Sequence, residues 1–184
     1  KSCEKRILHQ LLKWQQVVDI RDFGVTLIEN LFKDKRLKCI SDIYSLTVED
    51  LVPYFLKDDS IEKGKESLGA EKVFASIQTH KNLKLSTLLA GFDIEGFGET
   101  MAENLINSGF DTLDKILNAK KENISSCYGF AEITARTICE GLNENKDEML
   151  SLIHNGCITL KETGGGKLSG KSFCFKGEFK TMKR

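Results

Sequence analysis

At residues 94–102 the chain reads Ile94-Glu95-Gly96-Phe97-Gly98-Glu99-Thr100-Met101-Ala102. A glycine, one apolar residue and a second glycine stand here between two stretches with apolar residues at helical spacing. Glycine permits the positive φ angle that a tight hairpin between two helices requires, and the apolar residue between the glycines is expected to pack into the core. The stretch therefore predicts two short helices joined by a hairpin.

Three further stretches are related to this one, which indicates an internal repeat. In chain order the four copies are residues 20–28, 66–73, 94–102 and 127–135, with Gly24, Gly69, Gly98 and Ala131 at equivalent positions 45, 29 and 33 residues apart. Only the third copy meets the full pattern, because Asp22 and Ser67 replace the first glycine in two copies and Ala131 replaces the second in another. We expect an all-α fold built as a tandem array of four helix-hairpin-helix units.

The residue types in this pattern suit a phosphate contact. The second glycine leaves the N-terminus of the following helix unshielded, so that its free N–H groups and the helix dipole attract a phosphate oxygen. A small residue four positions later, Ala102 or Ala135, lets that helix lie close under the hairpin. Such a contact holds a DNA backbone without reading bases, and each copy also fits the simpler interpretation of a connecting turn.

The candidate DNA-binding residues follow from this chemistry. They are Gly96, Phe97, Gly98, Glu99, Thr100, Gly129, Phe130, Ala131, Phe23, Gly24, Leu68 and Gly69. Glu99 is expected to contribute only its N–H, since its carboxylate would repel phosphate. The degraded patterns at residues 20–28 and 66–73 make a purely structural role an open alternative for those two loops.

Charge and cysteine content narrow the class of protein. The chain of 184 residues carries 27 Lys and Arg against 27 Asp and Glu, and this net charge of zero gives no indication of nucleic-acid binding. Residues 161–184 hold seven of the cations against two Glu, so that segment carries +5 and the remainder −5.

The six cysteines form no C-x-x-C pair and fit a reducing compartment. No stretch is apolar enough for a membrane helix, and the absence of an initiating Met leads us to expect an internal segment of a longer protein.

The end of the chain changes character. Residues 143–156 are expected to form one more helix, residues 161–170 are a glycine-rich linker, and residues 171–184 begin with a strand-like alternation. Residues 165–172 match the phosphate-loop pattern G-x-x-x-x-G-K-S literally, but no buried strand precedes them, so a linker is the favoured interpretation. His9, His80 and His154 have no partner at ligand spacing.

The residues carry a resemblance to a known family. Residues 88–102 resemble the third hairpin of NAD+-dependent DNA ligases, residues 18–24 are similar to the first, and residues 42–51 to the connector before the second. Residues 170–179 resemble the opening strand of the BRCT domain that ends these ligases. The resemblance covers nearly the whole chain in the right order. It implies residues 1–18 as the end of a zinc-finger region with a lead-in helix, 19–160 as the four-hairpin DNA-binding domain, 161–170 as linker and 171–184 as the beginning of a BRCT-like domain.

The resemblance also implies a role. The family seals nicks in duplex DNA during replication and repair, with a lysine in a K-x-D-G motif that takes AMP from NAD+. No K-x-D-G occurs here, so this region would be a non-catalytic clamp acting in cis with the other ligase domains in a cytoplasmic monomer. NAD and a divalent metal are implied for the whole protein and neither for this region. Cys3 stands where the family's zinc finger has its last cysteine, and one ligand of four predicts no metal here.

Two alternatives stay open at this point. The array could be the scaffold of a repair or recombination protein that binds a protein partner, which neutral charge and degraded hairpins favour. The parent could also have lost its ligase activity and keep this region as a DNA tether. Affinity for DNA that falls steeply with salt would distinguish phosphate contacts from a protein partner.

Overall fold

The computed structural model describes residues 4–62 and 65–161, and most of these residues lie in helices. The helices are α1 Glu4–Val18, α2 Val25–Lys33, α3 Ile40–Ser45, α4 Val48–Leu51, α5 Asp58–Glu62, α6 Leu68–Thr79, α7 Leu85–Gly91, α8 Glu99–Asn107, α9 Leu113–Leu117, α10 Lys121–Ser125 and α11 Glu132–His154, with a 3₁₀ turn at Val52–Tyr54. Two short strands, β1 Asn82–Leu83 and β2 Thr159–Leu160, pair in parallel. The predicted all-α helix-hairpin-helix array is confirmed.

Side-chain caps explain where several of the short helices begin. The Thr47 hydroxyl accepts a hydrogen bond from the amide of Asp50, whose carboxylate accepts one from the Thr47 amide, which makes a reciprocal capping box at α4. The Thr112 hydroxyl caps α9 by accepting a hydrogen bond from the amide of Lys115, without a reciprocal bond. These polar starts fix helices of only four or five residues, which would not be stable alone.

The centre of the core lies where the first helix meets α3 and α7. Trp14 is fully buried and makes edge-to-face contacts with Tyr44 at a centroid distance of 6.3 Å and with Phe92 at 5.6 Å. Its Nε1 donates a hydrogen bond to the Tyr44 hydroxyl at 3.1 Å. Gly91 lies directly against the indole, since a Cβ there would be 2.6 Å from Trp14 Cε3. The packing thus needs glycine at this position and joins the helix before the first hairpin to the helix before the third.

The long helix α11 contacts the helices α1 and α3 from the N-terminal part of the chain. Its Asn145 accepts a hydrogen bond from Gln10 of α1 at 2.8 Å, and Arg6 of α1 forms an ion pair with Glu144. Glu148 accepts a hydrogen bond from the amide of Ile40, the first residue of α3, at 2.7 Å. The expectation of a separate helix over residues 143–156 is wrong, because the second helix of the fourth hairpin continues without a break to His154.

The strands close the array. The amide of Thr159 donates to the carbonyl of Lys81 at 2.8 Å, and that of Lys161 donates to Leu83 at 2.7 Å. The predicted linker from residue 162 and the BRCT-like segment 171–184 lie outside the described residues, as does Cys3. The domain boundaries proposed from the sequence therefore stay predictions.

Candidate nucleic-acid interface

Three of the four copies form the same backbone turn. In the first hairpin (residues 19–24), the third (92–98) and the fourth (126–131), a four-residue turn has a positive φ at its third position. The residues there are Asp22 at +62°, Gly96 at +71° and Gly129 at +90°. This left-handed conformation is that of a type II turn. Asp22 adopts it without being glycine, because aspartate tolerates the left-handed region better than most residues.

The residue after each left-handed position is a buried phenylalanine. Phe23, Phe97 and Phe130 are 0%, 1% and 4% exposed. The Phe97 amide donates to the carbonyl of Ile94 at 3.0 Å and that of Phe130 to Cys127 at 3.2 Å. These three side chains anchor the hairpins in the core, so any contact with a ligand at these positions would come from the main chain.

The helix after each of these hairpins begins with unshielded amides. Gly24, Gly98 and Ala131 are the N-cap residues of α2, α8 and α11, all with extended backbone and no side-chain cap. Within residues 4–62 and 65–161, no acceptor bonds to the first three amides of α11 or of α8, which in α8 are those of Glu99, Thr100 and Met101. In α2 the first two amides are free, and the third, that of Leu27, donates to the carbonyl of Gly24 at 3.1 Å. Free amides at a helix N-terminus carry the positive end of the helix dipole and favour an anion. A Cβ at Gly24 or Gly98 would meet nothing within 4 Å, so solvent reaches these amides.

The second copy is built differently. The helix α6 begins at Leu68, two residues earlier than the repeat predicts, and the buried Ser67 is its N-cap, with a hydroxyl that accepts from the amide of Ala70 at 3.3 Å. Leu68 is 70% exposed, so the expectation that it plugs the hairpin into the core is wrong. Gly69 is needed for another reason, because a Cβ there would lie 2.5 Å from the ring of Phe55.

The charges around the third hairpin oppose phosphate. Asp93, Glu95, Glu99 and Glu103 lie in or beside it, and no Lys or Arg occurs between residues 93 and 103. The carboxylate of Glu99, however, is held back toward α7, where it accepts hydrogen bonds from Thr87 Oγ1 at 2.9 Å and Ser86 Oγ at 3.4 Å. Its amide stays open while its charge is partly compensated by these two hydroxyl donors.

The fourth hairpin has a more favourable charge balance. Lys120, Lys121 and Arg136 lie near it in the chain, against Glu122, Glu132 and Glu140, and Arg136 forms an ion pair with Glu140 at 3.8 Å. Lys121 Nζ lies 2.9 Å from a Glu132 carboxylate oxygen, and this hydrogen bond lowers the pKa of Glu132. The Glu132 side chain at the start of α11 is therefore paired, and the charges near this hairpin balance, whereas those near the third hairpin are all acidic.

The fourth hairpin also carries two exposed apolar residues that the sequence analysis passed over. Tyr128 is 93% exposed in the turn itself, and Ile133 is 74% exposed at the second position of α11. The signal was present in the sequence, since a tyrosine and an isoleucine occupy positions that are charged or polar in the other copies. That these two side chains are exposed could not be deduced from the sequence, because helical periodicity does not show which side chains of a turn are buried.

Other site types find little support in the described part of the chain. Over residues 4–62 and 65–161 no group of three or more His, Cys, Asp or Glu is placed to hold a metal ion. Cys39, Cys127, Cys139 and Cys157 are free thiols. The His80 ring lies 2.7 Å from the carbonyl of Ser76 within its own helix. Among the described helices none is long and apolar enough to cross a bilayer.

Comparison with known proteins agrees with the array. A family model described as a SAM-like helix-hairpin-helix tandem matches residues 87–144, which enclose the third and fourth hairpins. A DNA ligase of Treponema denticola is 44% identical in an alignment that covers 100% of this chain and 28% of that protein. A DNA ligase of Treponema pallidum is 38% identical over 100% of this chain and 22% of its own length.

A more distant relative extends the comparison. A DNA ligase of Sorangium cellulosum is 28% identical over 96% of this chain and 25% of its own length. The chain thus spans about a quarter of the length of the curated relatives it matches.

Proposed function

We propose, on the premise that the chain is homologous over its whole length to one region of DNA ligases, that it binds the phosphate backbone of duplex DNA without reading sequence. The observation that carries the proposal is the geometry shared by three hairpins, each presenting uncapped amides at the start of a helix. Main-chain amides bind phosphate regardless of net charge, which accounts for DNA binding by a neutral chain.

The finer proposal concerns the whole protein. We propose that it is a NAD+-dependent ligase that seals nicks in replication and repair, and that this region is its clamp on the duplex. The adenylated lysine would have to lie elsewhere, since no K-x-D-G occurs here. Among residues 4–62 and 65–161 no group of three or more His, Cys, Asp or Glu is placed to hold a metal ion, and we propose that NAD and the divalent metal bind elsewhere in the whole protein. A cytoplasmic monomer whose other domains act in cis completes the proposal.

The test uses the N-cap positions, because they separate binding from folding. Gly24 and Gly98 have negative φ angles and open space around a Cβ, so Gly24→Val and Gly98→Val should cost only about 0.5–1 kcal/mol through a poorer cap. The same substitutions place two methyl groups over the amides. Ala131→Val is the matching change in the fourth hairpin, where the chain already tolerates one methyl group.

Affinity of each variant for a nicked duplex would be measured at two salt concentrations. We expect the original chain to bind the duplex less tightly at the higher salt concentration. In each hairpin that binds phosphate, the valine substitution should lower the affinity about ten- to hundredfold. Ala75→Val, on the exposed face of α6, is a control that should leave affinity unchanged. Folded variants that all bind like the original would refute phosphate binding by these amides.

One observation favours the second candidate, a scaffold that binds a protein partner. The third hairpin has the best backbone pattern and the most acidic surroundings, with Asp93, Glu95 and Glu103 beside its amides. If DNA affinity is absent or insensitive to salt, this acidic surface becomes the more credible site, with a basic protein segment as its ligand.

A further inference from the structure

The fourth hairpin exposes two large apolar side chains close in the chain to its free amides. Tyr128 is the second residue of the turn and is 93% exposed, and Ile133 is the second residue of α11 and is 74% exposed. Within the described residues the Tyr128 hydroxyl has no hydrogen-bond partner. The amides of Glu132, Ile133 and Thr134, the first three of α11, follow Tyr128 in the chain and bond to no acceptor among the described residues.

The equivalent positions in the other two hairpins are polar. Glu95 and Arg21 stand where the fourth hairpin has Tyr128, and Thr100 and Thr26 stand where it has Ile133. A solvent-facing turn needs no apolar side chain, and leaving such area in water gives up the free energy of its burial. The tyrosine and the isoleucine therefore fit a surface that is covered when the hairpin is occupied.

The surroundings indicate what covers them. The free amides and the nearby Lys120 suit an anionic backbone. Lys121 and Arg136 pair with Glu132 and Glu140 here, and both pairs are on the surface, where a phosphate can compete for the cation. An apolar protein partner would need no cations or free amides at this place. A nucleic-acid backbone presents phosphates and, between them, the apolar faces of its sugars. Tyrosine is suited to such a mixed surface, because its ring is apolar and its hydroxyl can hydrogen-bond at the rim.

We propose that Tyr128 and Ile133 pack against the deoxyribose faces that border the phosphate held by the amides of α11, which makes the fourth hairpin the anchor of the array on duplex DNA. This inference rests on the proposed function. It adds an apolar contribution to binding that salt does not screen. Because sugars are the same in every nucleotide, the contact is independent of base sequence.

Two kinds of variant separate this contribution from the ionic one. Tyr128→Ala and Ile133→Ala remove side chains that make little contact with the fold, so the chain should stay folded. We expect Tyr128→Ala to weaken binding to a duplex of mixed sequence about tenfold, by analogy with the loss of an aromatic contact to a nucleotide. The dependence of affinity on salt should not change, since no charge is removed. Arg136→Ala should instead reduce the salt dependence.

Two control variants test whether a loss of affinity comes from the aromatic ring of the fourth hairpin. Tyr128→Phe keeps the ring and should retain affinity to within a factor of about three. Phe55→Ala removes a ring that is 41% exposed outside the three hairpins and should have no effect on binding. Each variant would be compared on nicked and intact duplexes, and the loss should be equal on both, because both present the same sugars.

The outcomes distinguish the two proposals. Salt-dependent binding that is unchanged in Tyr128→Ala and Ile133→Ala would overturn the sugar contact and leave the phosphate clamp standing. A loss confined to nicked DNA would also overturn it, in favour of a ring stacked on the exposed base step. Absence of any binding by the original chain would overturn both proposals together.

Discussion

Gly91→Ala tests whether the contact between Trp14 and Gly91 sets the spacing of the first and third hairpins. An added methyl group would lie 2.6 Å from Trp14 Cε3 and 3.0 Å from Cζ3. The indole cannot retreat, because it is fully buried with edge-to-face contacts to Tyr44 and Phe92. Overpacking of this kind costs about 1–3 kcal/mol, and the better helix propensity of alanine offsets at most about 1 kcal/mol. We expect a net loss of about 1–2 kcal/mol in the free energy of unfolding.

The background of the substitution decides its sign. In Trp14→Leu the large ring is gone, and the alanine methyl group enters space that the ring has left. There Gly91→Ala should stabilise the chain by about 0.5–1 kcal/mol, which gives a coupling of about 2 kcal/mol between the two positions. Urea unfolding followed by far-UV circular dichroism would measure all four proteins, because Trp14 is the only tryptophan and its fluorescence is lost in half of them.

Gly98→Ala is the control for this cycle, since a Cβ there meets nothing within 4 Å. Its small cost should be the same with Trp14 and with leucine. If Gly91→Ala changes the free energy of unfolding equally in both backgrounds, to within about 0.5 kcal/mol, the indole is not the reason for glycine at position 91 and the expected coupling is refuted.

Two further changes test polar groups of the fold. Burial raises the pKa of Glu148, despite its hydrogen bond from the Ile40 amide. A group whose pKa is raised in the folded state stabilises the fold at low pH, and this stabilisation is lost as the pH rises through the folded-state pKa. Glu148→Gln keeps an oxygen acceptor without the charge, so its free energy of unfolding should improve relative to the original as pH rises from about 4 to about 7; a difference that does not vary with pH would contradict this. Ser67→Ala should lower the free energy of unfolding by about 1 kcal/mol through loss of the α6 cap and leave DNA affinity unchanged, and a loss of affinity without a loss of stability would show that the second copy binds after all.

The turns of the array could be predicted from the sequence because they depend on local chemistry. Gly96 and Gly129 adopt the positive φ that their pattern requires, and Phe97 and Phe130 fill the core beside them. The first hairpin shows that the geometry is more robust than the motif, since Asp22 takes the left-handed position. The roles of these hairpins in binding stay predictions that the valine variants test.

The failures come from contacts that connect distant parts of the chain. The Asn145 side chain donates to the carbonyl of Gly141 at 2.7 Å and accepts from Gln10, so an asparagine that resembles a helix breaker lies within a continuous helix. The helix α6 starts two residues before the position that the repeat predicts, because the Ser67 hydroxyl is a better N-cap than Gly69. Strands of two residues, such as β1 and β2, carry no periodic signal at all.

The contacts between α1 and α11 decide how the molecule comes apart. Hydrogen bonds there join residues 138 and 135 positions apart, and the bond from Ile40 to Glu148 joins residues 108 positions apart. An open solenoid contacts only neighbouring repeats and can unravel from one end, whereas here the first helix cannot leave without releasing the last. We therefore expect one cooperative unfolding transition rather than a stepwise one, and slower folding than that of a helical chain with only local contacts. A change in structure at one end of the array would in the same way affect the other end.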